Sequence, residues 1–543
     1  MSEPDPPSFA LLDQPWLLVR DLDGGVTELS MLDTLRSSGR LAGLAGDVPT
    51  QVFALTRLLL AVLHGALRGP ATADEWEALW ETEHLPLNDI ETYLYAHRER
   101  FDLFHPTAPF MQVAGLHTAK GEVSELSKLI ADVPNGHRFF ATRMGTDLSL
   151  SYAEAARWLV HCQAFDPSGI KSGAVGDDRV KNGKGYPIGV AWSGLLGGIL
   201  PEGRTLRETL LLNLIPRDFG ATTRDAGLDV PVWEREPLGP AEQPVELLTP
   251  AGPVTLFTWQ SRRVRLQVAR GRVTGVLICN GDHLTPQKMH STETHTGWRR
   301  SLPQEKKHRV PLVYMPFEHS VERVIWRGLE AMLPDTARRQ GTDAAPRLSA
   351  AVTEWLSFLS TERMIEPTYP MRMRTIGMTY GSNSSVIEEI IDDALSIQAV
   401  LVAQGAAELK GAAVDSVAAA ENAARAFGFL AANLAKAAGG DPDGPRARAV
   451  ESAYAELDPM FRSWLTGLGP GVDPLGCQLE WHQRADAAIR ALGTELVATA
   501  SPASWIGRKR DGRLYTTAHA DASFRKELRK ALPFAYTRDT VPA

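Results

Sequence analysis

Two glycine–proline breaks near the C-terminus restrict the fold of this chain more than any other feature. Gly439-Gly440-Asp441-Pro442-Asp443-Gly444 and Gly467-Leu468-Gly469-Pro470-Gly471 each interrupt alanine-rich sequence with a long apolar period. Proline removes a backbone donor, and glycine lacks the conformational bias a helix needs, so neither stretch continues one. The runs around them, 396–438, 445–468, 473–500 and 520–532, are each long enough for a bundle helix. The spacing predicts a C-terminal four-helix bundle over 373–543. Its far end carries Arg508, Lys509, Arg510, Arg513, Arg525, Lys526, Arg529 and Lys530, a pattern that ordinarily marks a solvated face.

Residues 1–372 read differently, as a large mixed α/β domain, which makes the whole chain α+β. Pro15-Trp16-Leu17-Leu18-Val19-Arg20, a turn at Asp23-Gly24-Gly25 and Val26-Thr27-Glu28-Leu29 form a hairpin pattern. Apolar residues recur at helical spacing over 50–67, with Thr50 as the cap, and over 150–165, with Ser151 as the cap. Alternation over 254–259, 264–268 and 273–278 predicts three strands, and 318–333 and 344–359 predict amphipathic helices. Ile376 to Tyr380 reads as a short apolar strand that ends in the polar turn Gly381-Ser382-Asn383-Ser384-Ser385.

Between the 150–165 helix and the apolar run 188–200 lies an unusual connection. It runs Phe165-Asp166-Pro167-Ser168-Gly169-Ile170-Lys171-Ser172-Gly173-Ala174-Val175-Gly176 and on through Lys181-Asn182-Gly183-Lys184-Gly185-Tyr186. Loops between buried elements are usually roughly 4–6 residues long, and one of about twenty usually has a function. Glycine lets backbone press against a ligand, while Lys171, Arg179, Lys181 and Lys184 carry charge that neutralises phosphates. A polyanion contact and a plain solvated loop both fit this composition. A Walker A loop does not, because Gly183-Lys184 is followed by glycine.

A second segment sets Phe139 and Phe140 beside His137, Arg138 and Arg143. That combination suits stacking on unpaired bases while gripping phosphates, and an ordinary packed loop fits it equally. Histidines 283, 290, 295 and 308 match no metal-ligand spacing; with Lys306, Lys307 and Arg309 they read as a basic surface.

The totals exclude several classes. A formal net charge of −8 argues against a free-standing DNA-binding protein, so any nucleic-acid contact must use local patches. Cys162, Cys279 and Cys477 lie too far apart for a C-x-x-C zinc site or a disulfide framework. No apolar run reaches the roughly 18–20 residues of a membrane span, and the acidic, proline-rich start has no signal-peptide pattern. A soluble, cytoplasmic protein without membrane contact is expected. An enzyme is not: Asp177-Asp178 and Asp392-Asp393 lack a second acidic cluster, and no G-x-S-x-G elbow occurs.

These pieces, in this order, resemble the large subunit of the type I-E CRISPR Cascade complex, the CasA family. The likeness covers nearly the whole chain: the P-W-L-L-V-R hairpin, F-D-L-F-H-P followed by P-F-M-Q, the Phe139-Phe140 loop, S-G-I-K-S-G, the strands near Trp259, Y-G-S-N-S-S and the terminal bundle. The resemblance implies a non-catalytic subunit at the 5′-handle end of the crRNA. It would recognise the protospacer-adjacent motif in double-stranded DNA, help open the duplex and recruit a separate helicase–nuclease. By the same likeness, motif contact falls on Ser168, Gly169, Ile170, Lys171, Ser172 and Gly173. Docking on the crRNA handle and the other Cascade subunits falls on Phe139 and Phe140. The strand-separating wedge falls on Asn383 and Ser384, where some relatives have glutamine at the second position, and a lysine finger falls on Lys288. Some members carry a cysteine-rich zinc knot; with only Cys279 in that region, no metal and no other cofactor is expected here. The competing expectation is a scaffold that holds crRNA and partner subunits without reading the motif.

Overall fold

The computed structural model describes residues 7–133, 148–220, 227–320, 324–334, 347–510 and 512–536. The chain divides into two compact units whose segments interleave. The first takes Met1–Val321, Arg339–Trp355 and Met371–Ala394; the second takes Glu322–Arg338, Leu356–Pro370 and Leu395–Ala543.

The first unit opens with the expected hairpin, β1 (Leu17–Asp21) and β2 (Val26–Leu29), and β3 (Leu41–Leu44) lies on the other side of β1. The Asp21 carboxylate closes the turn by accepting the Asp23 and Gly25 amides at 2.9 and 2.8 Å. Helix α1 (Pro49–Leu67) is capped by Val48, two residues before the expected cap Thr50, which lies inside the helix; Pro49 takes the first-turn position, where its missing donor is harmless. It is apolar enough to cross a membrane by composition, yet it is the core helix of this unit, with Phe53, Leu55, Leu58, Leu59, Val62 and Leu63 all buried.

A charged side chain runs through that core. Arg57 meets Glu293 in a bidentate pair at 2.7 and 2.8 Å, and the Trp192 indole donates to the same carboxylate at 2.6 Å. Burial alone would raise the Glu293 carboxyl, but Arg57 beside it wins and holds it at about 2. His295 and His161 are buried nearby: His295 Nε2 lies 3.1 Å from Asn213 Oδ1 and His161 Nε2 lies 2.9 Å from Thr50 Oγ1. Burial drives each imidazole down to about 3, so both are neutral in the fold.

Helix α2 (Tyr152–Phe165) is capped by Ser151, as expected, and Glu154 completes a full capping box with it. Strands β4 (Lys171–Ser172) and β5 (Lys184–Gly185) follow, then β6 (Gly198–Glu202) and helix α3 (Leu206–Asn213). Residues 254–259, expected as a strand, form helix α4 (Pro253–Phe257) instead. Pro253 takes the first-turn position of α4, where its fixed φ is already helical. Val254, Thr255, Leu256 and Phe257 are all buried, so the alternation is not that of a half-exposed strand. The two other expected strands are present as β7 (Arg262–Ala269) and β8 (Arg272–Asn280), an antiparallel pair. They extend the sheet β5-β4-β8-β7, in which β4 runs parallel to β8. Short strands β9 (Trp298–Arg300) and β10 (Tyr314–Pro316) pair further on.

Strands β11 (Pro370–Tyr380) and β12 (Ile387–Gln398) form a long hairpin. Antiparallel pairing of Arg372–Ile376 with β6 explains why Met371–Ala394 cluster with the first unit, so the division does not fall at the expected point between 372 and 373. Arg374 fastens the hairpin by bridging Asp392 at 2.6 Å and Glu202 at 3.0 Å.

The second unit contains the expected bundle: α5 (Ala407–Ala438), α6 (Asp443–Thr466), α7 (Pro474–Ala498) and α8 (Thr517–Ala531). Alanines 413, 420, 424 and 437 of α5 are buried in its core, as are Leu457, Phe461, Trp481, Ile489 and Leu528. The 318–333 stretch, expected as one helix, holds only a 3-10 turn (Ile325–Gly328) and a single helical turn (Leu329–Met332) among the described residues. Trp326 on that turn stacks on Phe461 at 4.7 Å and donates to Asp458 at 2.9 Å, so burial of one indole, not helix periodicity, organises it.

Neutral buried histidines give a pH dependence of defined sign. Their folded pKa lies below the unfolded value, so their contribution is complete above about pH 6.5 and is lost as pH falls from there towards about 3. Between about pH 7 and 5 the urea midpoint of the first unit is expected to drop, with up to about 1.4 kcal/mol lost per pH unit for each fully neutral histidine. A flat midpoint across that range, followed by tryptophan fluorescence, would refute the neutral assignment.

Candidate nucleic-acid interface

The long loop is rooted where α2 ends. Asp166 caps the helix, its amide donating to the Cys162 carbonyl at 3.1 Å, and its carboxylate turns inward. There it meets the Arg262 Nε at 2.6 Å and the Lys171 Nζ at 2.5 Å. Arg262 is 1% exposed, and its remaining donors go to the carbonyls of Ser261, Pro167 and Gly189 at 2.9, 3.2 and 2.7 Å, with a longer contact to Asp166. A fully buried guanidinium is tolerable only when its charge and donors are satisfied in this way.

Beyond this root the backbone does the shaping. Gly169 sits at φ +120°, which an L side chain rarely adopts, and Ile170 beside it is 59% exposed. Gly173 donates to the Gly183 carbonyl at 3.0 Å, and a Cβ there would stand 2.6 Å from Val180 Cγ1 and from the Gly183 carbonyl carbon. Close approach, not turn geometry, therefore requires glycine at 173. The loop folds back as a short hairpin, β4 against β5, with Val175, Gly176, Lys181 and Asn182 exposed between the strands.

The β11–β12 turn comes to the same place. Its Ser384 carbonyl accepts the Ser168 amide at 2.8 Å. Within the turn, Ser384 donates to Gly381 at 2.8 Å, Gly381 donates to Val386 at 2.9 Å, and Asn383 and Ser384 both have positive φ, at 56° and 52°. Asn383 is exposed and Ser384 half-buried. A cavity of about 610 Å³ adjoins both segments, lined by Ile130, His161, Phe165, Pro167, Val386 and Glu388, among others.

The remaining sequence-predicted residues are distributed differently. Lys288 is exposed on the connection between β8 and β9, at φ 62°. Phe139 and Phe140 lie outside the described residues. Of the loop's four cations, Lys171 (13% exposed at its side chain) is paired with Asp166, and Arg179 with Asp177 and Glu242 at 2.9 and 2.7 Å. Lys181 and Lys184 are exposed. Half of the apparent basic patch is thus consumed inside the protein. Sequence reasoning missed Arg262 and Asp166 as the root; the signal present was a pair of adjacent arginines, Arg262 and Arg263, opening a strand that otherwise alternates apolar and polar.

Among the described residues no three His, Cys, Asp or Glu side chains gather as a metal site. All three cysteines are buried and free of disulfides, and burial pushes the Cys279 thiol up to about 12. Asp177 and Asp392 are each held by an arginine. Removing Asp166 as Asp166→Ala leaves Arg262 charged and buried, and is expected to lower unfolding free energy by about 3–5 kcal/mol. Lys171→Ala, at the loop's edge, should lower it by about 1 kcal/mol or less. Equal losses in denaturant titrations would mean that Arg262 is not the partner that matters.

Comparison with known proteins places this architecture. The family model for CRISPR-associated protein Cse1 matches residues 10–496. The CRISPR-associated protein CasA/Cse1 of Thermus thermophilus is 34% identical over 359 residues, and the alignment spans 63% of this chain and 63% of that relative's length. The crystal structure of Thermobifida fusca Cse1 superposes with a TM-score of 0.92 at 46% identity, covering 97% of this chain and 99% of that one. Cse1 from Acidimicrobium ferrooxidans gives 0.82 at 31% identity, covering 98% and 99%. A chain of a CRISPR RNA-guided surveillance complex shares the fold at 20% identity, with a TM-score of 0.67 and coverage of 98% and 100%. With the family model matched over most of its length, the chain belongs to the CRISPR-associated Cse1, or CasA, family.

Proposed function

We propose that this chain is the non-catalytic large subunit of a crRNA-guided type I-E Cascade complex, acting in antiviral defence in the cytoplasm. In this reading it recognises the protospacer-adjacent motif in double-stranded DNA, helps open the duplex and recruits the helicase–nuclease. One observation carries it: the Ser168 amide bonded to the Ser384 carbonyl joins the two segments to which the family resemblance assigns motif contact and strand separation. They are distant in sequence, and a scaffold has no need to bring them together.

The chemistry of groove recognition agrees. A minor groove offers few distinguishing groups, so a loop that presents backbone and small side chains suits a short, degenerate motif. Sequence is then left to guide–target pairing, with the protein checking only the adjacent bases. Ser168, Gly169, Ile170, Lys171, Ser172 and Gly173 would face the groove, Asn383 and Ser384 would enter the first base step, and Lys288 would supply a further phosphate or groove contact. Phe139 and Phe140 would dock on the crRNA handle and the neighbouring subunits. Lys171 can serve a phosphate without stranding a charge, because Arg262 stays on Asp166 when the lysine leaves.

The pairing of Lys171 with Asp166 also favours the second reading, a scaffold that does not read the motif. Binding of the assembled, guide-loaded complex to duplexes that differ only in the three bases beside the target separates the two. At fixed salt, the parent is expected to discriminate by about tenfold or more, and Lys171→Ala and Asn383→Ala/Ser384→Ala to lose most of that, about 1.4 kcal/mol for each factor of ten. Equal binding by parent and variants, whatever the flanking bases, would leave the scaffold.

A further inference from the structure

Tyr380 is the last residue of β11, and its hydroxyl donates to the Phe165 carbonyl at 2.8 Å. Phe165 is the last residue of α2, so this carbonyl is one of the terminal acceptors that the helix itself leaves without a partner. The tyrosine ring lies over Gly194, where any Cβ would collide with the hydroxyl oxygen. Burial raises the phenol well above its ordinary range, which keeps it a neutral donor.

The contact is the first of three made in step along the two segments. Phe165 meets Tyr380, Ser168 donates to Ser384 at 2.8 Å, and Gly169 lies against Ser385, where a Cβ at 169 would stand 3.6 Å from the Ser385 Cβ. Around the second and third contacts the turn is closed on itself by its own hydrogen bonds, so it moves as a unit more readily than it deforms. On the other side, Asp166 is fixed by Arg262, and its carbonyl accepts the Ala191 amide at 2.9 Å.

We infer that Tyr380 is a positioning residue that makes the loop 168–173 and the turn 381–386 a single body, so that engagement of a duplex at the loop and strand insertion at the turn are coupled. The inference rests on the function proposed above and adds to it how the two steps communicate. Coupling of this kind is an energy shared between two sites, and it disappears when the link between them is cut.

Tyr380→Phe removes the first of the three contacts and so weakens the link, while keeping the ring over Gly194. The test uses the assembled, guide-loaded complex and two duplexes with the same motif, one fully paired and one already mismatched over the first bases beside it. A 2-aminopurine at the first target position reports opening. The variant is expected to bind the pre-opened duplex within about twofold of the parent, and to open the paired duplex about fivefold less, the factor that one net hydrogen bond supports. Equal losses on both duplexes would reduce Tyr380 to local support of the fold, and no loss on either would dispose of the coupling.

Hydrogen exchange of the free subunit keeps the two readings apart. The variant should show faster exchange at the amides of Ser168 and Ser384 together, whether or not DNA is read. If they quicken together but the parent complex ignores the motif, the mechanical link stands and the proposed function falls. Unchanged exchange at both overturns the link itself.

Discussion

A guanidinium taken wholly out of water governs the shape of the candidate interface. Arg262 stands at the start of β7, yet its partners are the end of α2, the first residues of the long loop and Gly189. Because a buried charge without a counterion is so unfavourable, Asp166 and the carbonyls around it have little freedom to rearrange. The loop is therefore held at its root, while Ile170 beside the root, Lys181 between the strands and Lys184 on β5 face solvent. The same device recurs in this unit. Arg57 pairs with Glu293 inside the α1 core, and Arg263 with Asp282 at 2.7 Å at the same end of the β7–β8 pair as Arg262. Arginine serves here as an internal fastener, its planar fork satisfying a carboxylate and several carbonyls together.

That use of charge explains what could be read from the sequence and what could not. Elements fixed by local pattern were legible: the Asp23-Gly24-Gly25 hairpin, the Ser151-capped helix and the four bundle helices all follow from periodicity and breakers. Elements fixed by what they pack against were not. Residues 254–259 alternate like a strand, but every side chain from Val254 to Trp259 is buried, so alternation carried no information about exposure. Residues 318–333 carry helical spacing, yet the indole of Trp326 stacked on Phe461 decides the local shape. The candidate site shows the same limit. Lys171 looks identical in sequence whether it faces a phosphate or Asp166, and the Arg262 partner lies 96 residues from Asp166. The loop and the turn could each be picked out by their small residues; their meeting could not, since no local signal encodes a backbone bond between Ser168 and Ser384.

Internal pairing also bears on how an acidic chain would approach DNA. With a net charge of −8 and two of the four loop cations held by carboxylates, long-range attraction is weak. In the proposed reading, short-range fit would then carry more of the discrimination, and a surface of backbone and small side chains would provide fit without demanding one sequence. Partner subunits and the crRNA would set the position of the duplex, leaving this chain to test its shape.

The turn at 381–386 shows where the stiffness for such a test resides. Its side chains are small, and a serine at 384 offers little bulk to hold two bases apart. Its backbone is different: two consecutive residues in the left-handed region, at φ 56° and 52°, are closed by hydrogen bonds from Ser384 to Gly381 and from Gly381 to Val386. Non-glycine residues adopt that region only when their surroundings hold them there. What would enter a base step is thus a braced loop of main chain, carried on the end of two long paired strands and tied to the helix behind it. A wedge works by refusing to yield, and in the proposed role the refusal would come from the backbone and its anchorage. A longer side chain at 384 would add reach; the resistance is already supplied by the bonds that close the turn and by the carbonyl of Ser384, which is engaged by the loop it accompanies.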